Sequence, residues 1–190
     1  MDFGLSEELQ MLRDMARDFA AEKIAPFADE WDEKHYFPYE EVVKPMGELG
    51  FFGTVIPEEY GGNEMGWLAA IILTEEIARA SSSLRVQINM LTLGCAFTIY
   101  RYGTDDDVKK KYIPKLVSAE YMGGFGITEP NAGSDVMAMK STAQDKGDHW
   151  LLNGSKTWIS NTSVADAIIF YAYSDREARG RGLSAFVIEP

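Results

Sequence analysis

The sequence predicts an α+β protein in two halves: an all-α domain over residues 1–117 and a β domain over 118–190. Three observations carry that reading. In the first half apolar residues recur at spacings of three and four, the period of a helix face. In the second half short runs rich in β-branched and aromatic residues alternate with turn residues. The 190 residues are 46% apolar, enough for a substantial core.

Leu5, Leu9, Leu12, Ala16 and Phe19 share one face of a first helix. Ser6 is its expected N-cap, Glu7 and Glu8 suit the positive end of its dipole, and Pro26 kinks or ends it. A second helical segment runs from near Pro38 to Gly50, a third covers GWLAAIILTEEIARA, and a fourth runs through RVQINMLTLGCAFTIYRYG. The fifth, TDDDVKKKYIPKLVSAE, opens with a Thr104 cap and acidic residues and places its lysines later. Beyond Glu120, DHWLLNGSKTWIS reads as two β-runs around Asn153-Gly154, the strongest short hairpin signal. DAIIFYAYS and GLSAFVIEP read as further strands, and SDREARGRG as an exposed turn. Three or four β segments ending at Pro190 leave open sheet edges, so the β domain is expected to be incomplete and the chain to be the front part of a longer protein.

The net charge of −12 argues against nucleic acid and anionic membrane surfaces, which require a basic face. The acidic N-terminus, MDFGLSEELQ, has no secretory signal, and no apolar run approaches the ~20 residues that span a bilayer. A reducing compartment, the bacterial cytoplasm, is the expected location. Cys95, the single cysteine, lies in an apolar run and reads as a buried structural thiol. His35 and His149 have no partners at metal-ligand spacing, so no metal site is expected.

The stretch GFGITEPNAGSD, residues 124–135, carries three glycines, a proline and several oxygen-bearing side chains. Gly124, Gly126 and Gly133 permit positive backbone angles and close approach of a ligand. Glu129 occupies the place of the third glycine of a dinucleotide fingerprint, and no Gly-Lys-Ser/Thr follows, so neither a Rossmann nor a P-loop site is expected. What remains is either an interdomain turn or a loop that aims amides and the Thr128 and Ser134 hydroxyls at an electron-rich ring or an anionic oxygen. In KTWISN, Trp158 is either core or a flat face for stacking, with the Ser160 hydroxyl beside it.

Taken together, GFGITEPNAGSD and, some twenty residues later, NGSKTWISN resemble the flavin-binding pair of the acyl-CoA dehydrogenases. The likeness extends to GFFGTVIPEEYGG and YGTDDDVKKKYIPKL, and so along the whole chain. It implies a helical N-terminal domain, a middle β domain of barrel or sandwich type, and a C-terminal helical bundle absent from this chain. It also implies FAD, a homotetramer, an acyl-CoA substrate and an electron-transferring flavoprotein as electron acceptor. Phe125, Ile127 and Thr128 are then expected along the flavin, Gly133 at the loop's turn, Ser134 at the coenzyme A arm, and Trp158, Ile159 and Ser160 against the isoalloxazine. Ser160 stands where the family usually has threonine. The family's catalytic base is a glutamate of the C-terminal bundle, so no catalytic residue is expected in this chain.

Arg85, in SSSLRVQINM, is read either as one half of a surface ion pair or as the anchor of a substrate's distal carboxylate. The resemblance to the glutaryl-CoA branch favours the anchor, because that branch carries an arginine at the matching position, eighteen residues before Gly103. Val86 follows where decarboxylating members usually have serine, which favours release of glutaconyl-CoA without decarboxylation. A decarboxylating enzyme giving crotonyl-CoA, a dehydrogenase of another short, branched or cyclic acyl-CoA, an oxidase and a non-catalytic binding module remain as alternatives.

Overall fold

The computed structural model describes residues 4–190, and the chain divides into two compact units, one ending at Tyr121 and one from Met122 to Pro190. The helical unit begins with α1 (Glu7–Phe19), where the Ser6 hydroxyl accepts from the Leu9 N–H as a cap. Leu12 and Ala16 are buried, and the same stripe continues through the wider π turns of Ala20–Ile24 to Ala20 and Ile24. The short α2 (Ala28–Glu33) buries nothing, whereas Tyr39–Val43 and α3 (Lys44–Glu48) bury Val42, Val43 and Met46. Helix α4 (Gly66–Ala80) packs on α1, and its buried Glu76 carboxylate accepts a bidentate pair from Arg17 at 2.8 and 3.1 Å.

The π-wound segment Ile88–Ala96 runs into α5 (Phe97–Tyr102), and α6 (Asp106–Val117) closes the unit. Its cap is Asp105, not Thr104: the Asp105 carboxylate accepts from the N–H groups of Asp107 and Val108. A carboxylate at that place also meets the helix dipole, which a neutral hydroxyl does less well. Cys95 is fully buried within the π segment, and burial pushes its thiol pKa to about 12. A thiol reagent at pH 8 is therefore expected to leave the native protein unlabelled and to label one site per chain only after unfolding. Rapid labelling of the native protein would contradict this. Among the described residues no helix is long and apolar enough to cross a membrane, and no cluster fit for a metal ion is present.

The second unit is one mixed sheet: β1 (Gly123–Gly126), β2 (Thr142–Asp145), β3 (Trp150–Asn153), β4 (Ala167–Tyr173) and β5 (Leu183–Ile188). Strand β4 is its centre. β5 runs antiparallel along β4 from Ile168↔Ile188 to Tyr173↔Leu183. β1 runs parallel beside Ala167–Phe170, and β2 meets β4 at Thr142↔Tyr173.

Two sequence expectations change here. The hairpin joins β2 to β3 through Lys146–His149, with Gly147 at φ +94°, and does not turn at Asn153-Gly154. Gly154 is needed for another reason: a Cβ there would lie 2.8 Å from the Ser141 Cα. The second expected run, KTWIS, is loop, with Trp158 at φ +57°.

Candidate flavin and acyl site

In the helical unit, Ser81 organises the turn that presents Arg85. Its hydroxyl accepts from the Leu84 N–H at 3.2 Å, and its carbonyl accepts from the Arg85 N–H at 3.2 Å. Leu84, Gln87 and Ile88 are buried and anchor the turn, while Arg85 and Val86 are half-buried. Among the described residues no acidic side chain pairs with Arg85. A hollow of about 440 Å³ near this turn is lined by Trp31, Asp32, Tyr36, Ser83, Leu84 and Gln87; Arg85 and Val86 do not line it.

In the β unit, strand β1 feeds directly into the loop. Gly124 and Gly126 are strand residues without positive φ, and their missing side chains matter for packing. A Cβ on Gly124 would lie 3.1 Å from the Ile168 side chain, and one on Gly126 3.4 Å from Ile168 and from the Ile169 carbonyl. The loop turns at Glu129–Ala132, where the two residues exchange backbone bonds of 2.9 and 3.1 Å. Gly133, expected at the turn, is exposed one residue later, has no positive φ, and a Cβ there would meet nothing.

Glu129, read in the sequence only as a break in a glycine pattern, anchors the loop. Its carboxylate accepts from the Lys140 N–H at 2.6 Å, the Ser141 N–H at 3.0 Å, the Ser141 hydroxyl and the Lys156 ammonium at 2.9 Å. Burial of Glu129 by itself would raise its pKa. The bonds from Ser141, Lys140 and Lys156 outweigh that effect and hold the carboxyl at about 2. Lys156 is equally buried, donates to the Ile127 carbonyl at 3.3 Å, and lies 4.9 Å from the centre of the Phe170 ring.

The same ion pair joins the two motifs. Further ties are Thr157 N–H to the Thr128 carbonyl at 3.0 Å and the Asn161 side-chain amide to the Gly123 carbonyl at 2.9 Å. Residues 124–129 and 156–161 therefore form one rigid constellation. Phe125 packs its ring 5.1 Å from Tyr171, and Ile127 belongs to the apolar cluster of Ala132, Met139 and Tyr173. The hydroxyls of Thr128, Ser134 and Ser160 have no hydrogen-bond partner among the described residues.

Trp158 is 92% exposed, so it is not core of this unit. An aromatic residue held at positive φ and in full exposure is strained and incurs a hydrophobic cost; such outliers persist where a ligand or partner uses them. Beside it a hollow of about 380 Å³ is lined by Gly126, Lys156, Thr157, Ile159, Ile168 and Phe170. An exposed indole beside an apolar hollow, with the unpartnered hydroxyls of Thr128 and Ser160 on the two joined motifs, suits a planar conjugated heterocycle, and the residues present fit FAD.

Sequence reasoning missed Glu129, Lys156 and Ser141 as the clamp. The signal was faint: a glutamate before proline inside a glycine-rich loop, and a lysine opening the second motif.

Comparison with known proteins bears on the same two units. Residues 6–120 match the acyl-CoA dehydrogenase N-terminal domain, and residues 124–190 match the acyl-CoA dehydrogenase middle domain. A glutaryl-CoA dehydrogenase of Desulfococcus multivorans is 71% identical over 192 residues, covering 100% of this chain and 49% of that one. A structure of a glutaryl-coenzyme A dehydrogenase glutaryl-CoA complex superposes with a TM-score of 0.97 at 71% identity, covering 100% of this chain and 48% of the other. A chain in the structure of the electron transferring flavoprotein of Acidaminococcus fermentans, concerned with flavin-based electron bifurcation, matches with a TM-score of 0.94 at 38% identity, covering 100% and 50%. The chain spans about half the length of the curated relatives it matches. With both domains matched in order along almost its whole length, the chain belongs to the acyl-CoA dehydrogenase family.

Proposed function

We propose that this chain supplies the N-terminal and middle domains of an FAD-dependent dehydrogenase that converts glutaryl-CoA to glutaconyl-CoA without decarboxylation. The observation that carries the substrate is Arg85, a half-buried guanidinium with no acidic partner among the described residues, in a chain 71% identical to a glutaryl-CoA dehydrogenase. A five-carbon acyl chain that ends in a carboxylate meets such a group through two parallel charge-assisted bonds.

The residues of this chain bind and orient. Phe125, Ile127, Trp158 and Ile159 offer apolar and aromatic faces to the isoalloxazine. Thr128 and Ser160 offer hydroxyl donors to its edge, where charge builds as it is reduced. Ser134 offers a hydroxyl to the coenzyme A arm, and Arg85 fixes the far end of the acyl group. FAD held by these residues would supply an acceptor for the substrate's β-hydrogen as hydride, with the α-proton lost to a base and a carbon–carbon double bond left in the acyl chain. That base, a glutamate in the family reading, is not among these residues.

Val86 gives the distal carboxylate no hydrogen bond that would align it for loss of carbon dioxide, so the carboxylate stays. We assign the acceptor as an electron-transferring flavoprotein, in keeping with the Acidaminococcus match, and the assembly as a homotetramer in the bacterial cytoplasm.

The test is anaerobic mixing of the full-length, flavin-loaded protein with glutaryl-CoA, with flavin bleaching followed and the product weighed by mass spectrometry. Bleaching with glutaconyl-CoA as product is expected. Crotonyl-CoA would overturn the reading of Val86, and no bleaching would overturn the substrate.

A further inference from the structure

The two ends of the buried Glu129–Lys156 pair face different surroundings. Lys156, and the Phe170 ring that its ammonium faces at 4.9 Å, both line the hollow beside Trp158. Glu129 lines a separate hollow of about 470 Å³, together with Lys140, Ser141 and Asn153. Its carboxylate is shared there with the N–H groups of Lys140 and Ser141 and the Ser141 hydroxyl. The pair is therefore an oriented dipole, with its positive end on the side of the hollow that suits the flavin.

The ammonium also reaches the peptide that joins Ile127 to Thr128. It donates to the Ile127 carbonyl at 3.3 Å, while the Thr128 N–H at the other end of that peptide has no partner among the described residues. The N–H groups on either side are used within the loop: Ile127 donates to the Phe125 carbonyl and Glu129 to the Ala132 carbonyl. The Thr128 carbonyl accepts from the Thr157 N–H at 3.0 Å, which fixes the direction of the free donor. A cation on a peptide oxygen draws electron density along the amide and makes its N–H a stronger donor. Transfer of a hydride to a flavin adds one negative charge to its ring. Fixed donors and a fixed positive end beside the ring favour that reduced form.

We propose that Lys156, acting through the Ile127–Thr128 peptide, raises the reduction potential of the bound flavin, and that Glu129 limits how far it rises. The proposal rests on the FAD reading of this site and not on the identity of the acyl group.

Its test is the midpoint potential of the full-length holoenzyme, reduced by xanthine and xanthine oxidase against a reference dye, at protein concentrations that keep the flavin bound. The wild type is compared with Lys156→Met, Glu129→Gln and the double variant. Lys156→Met is expected to shift the equilibrium about tenfold towards oxidised flavin, about 30 mV downward for a two-electron couple. Glu129→Gln is expected to shift it about tenfold the other way, because the ammonium then has no counter-charge. A loop that is merely loosened would move both variants in the same direction. The double variant, with no charge at either end, is expected to lie below the wild type. Shifts of one sign in the two single variants, or a double variant at or above the wild type, would overturn the proposal. Where a single variant fails to hold flavin, the double variant decides. No acyl-CoA enters this assay, so the expected order of potentials in an enzyme that glutaryl-CoA does not bleach would refute the acyl assignment and leave this proposal standing. A wild type that takes up no FAD would refute the flavin reading and this proposal together.

Discussion

Arg85→Gln in the full-length enzyme is expected to lower kcat/KM for glutaryl-CoA by about two to four orders of magnitude and to leave butyryl-CoA turnover almost unchanged. Two charge-assisted hydrogen bonds to the distal carboxylate, each worth about 1.5–3 kcal/mol, set that size. Butyryl-CoA has no distal carboxylate, so it loses nothing when the guanidinium goes. The variant should also fold normally. Arg85 is half-buried and no acidic side chain pairs with it among the described residues, so its removal leaves no buried charge unpaired. Its backbone role, the bond to the Ser81 carbonyl, does not depend on the side chain. Steady-state kinetics on both thioesters, with a melting curve as control, check this. An equal loss on both substrates would assign Arg85 to structure and remove the basis for a dicarboxylic substrate.

Where periodicity or apolar runs were strong, the sequence carried the architecture. Helix α4 coincides with the segment read from Gly66 to Ala80, because its stripe of Ala69, Ala70, Leu73 and Ile77 repeats with the helical period. Strand β4 coincides with a continuous apolar run, in keeping with burial of side chains from both of its faces. The failures share a cause. Strand β1, Gly-Gly-Phe-Gly, has almost no β propensity and is a strand only because β4, some forty residues later, offers it a parallel ladder. Helix α2 buries nothing, so no apolar period announces it. The Asn153-Gly154 signal competed with Gly147, and both contain the glycine that a local rule seeks. Contact with Ser141, not turn chemistry, explains Gly154.

The site was legible as two motifs but not as one object. Their residue types pointed to a flat ring and hydroxyl contacts, and the structure leaves Trp158 exposed and Thr128, Ser134 and Ser160 unpartnered among the described residues. What joins the motifs is a pairing of Glu129 with Lys156, 27 residues apart, and no local rule pairs a loop glutamate with a lysine across a sheet. Burial creates the pairing: a charge that has lost its water needs a partner and saturated hydrogen bonds, and both residues find them only in the folded unit.

That clamp carries the second large effect. Glu129→Gln is expected to destabilise the β unit by about 3–5 kcal/mol, measured by urea unfolding at pH 7. The glutamine amide keeps one acceptor oxygen but aims an NH2 at donors from Lys140, Ser141 or Lys156, and Lys156 remains buried with no counter-charge. Lys156→Met alone should cost a similar amount for the converse reason. The double variant should be more stable than either single one, because an apolar side chain and a neutral amide leave no buried charge to solvate. Acid titration gives an independent check. The Glu129 carboxyl lies at about 2 in the fold against 4.5 for the ordinary group, a difference of about 3 kcal/mol. Because the folded pKa is depressed, that stabilisation is fully present above about pH 5 and is lost as the pH falls towards 2. Glu76, whose carboxyl is lowered chiefly by the hydrogen bond from Arg17, contributes in the same direction. Wild-type stability should thus fall steeply between pH 5 and 2, and Glu129→Gln should flatten that slope. The Lys156 ammonium also holds the Ile127 carbonyl, so both single variants should release FAD more readily at pH 7, seen as free-flavin fluorescence. A Glu129→Gln variant with wild-type stability, an unchanged acid slope and full flavin retention would mean that the loop is held by its backbone turn at Glu129–Ala132 and not by the buried pair.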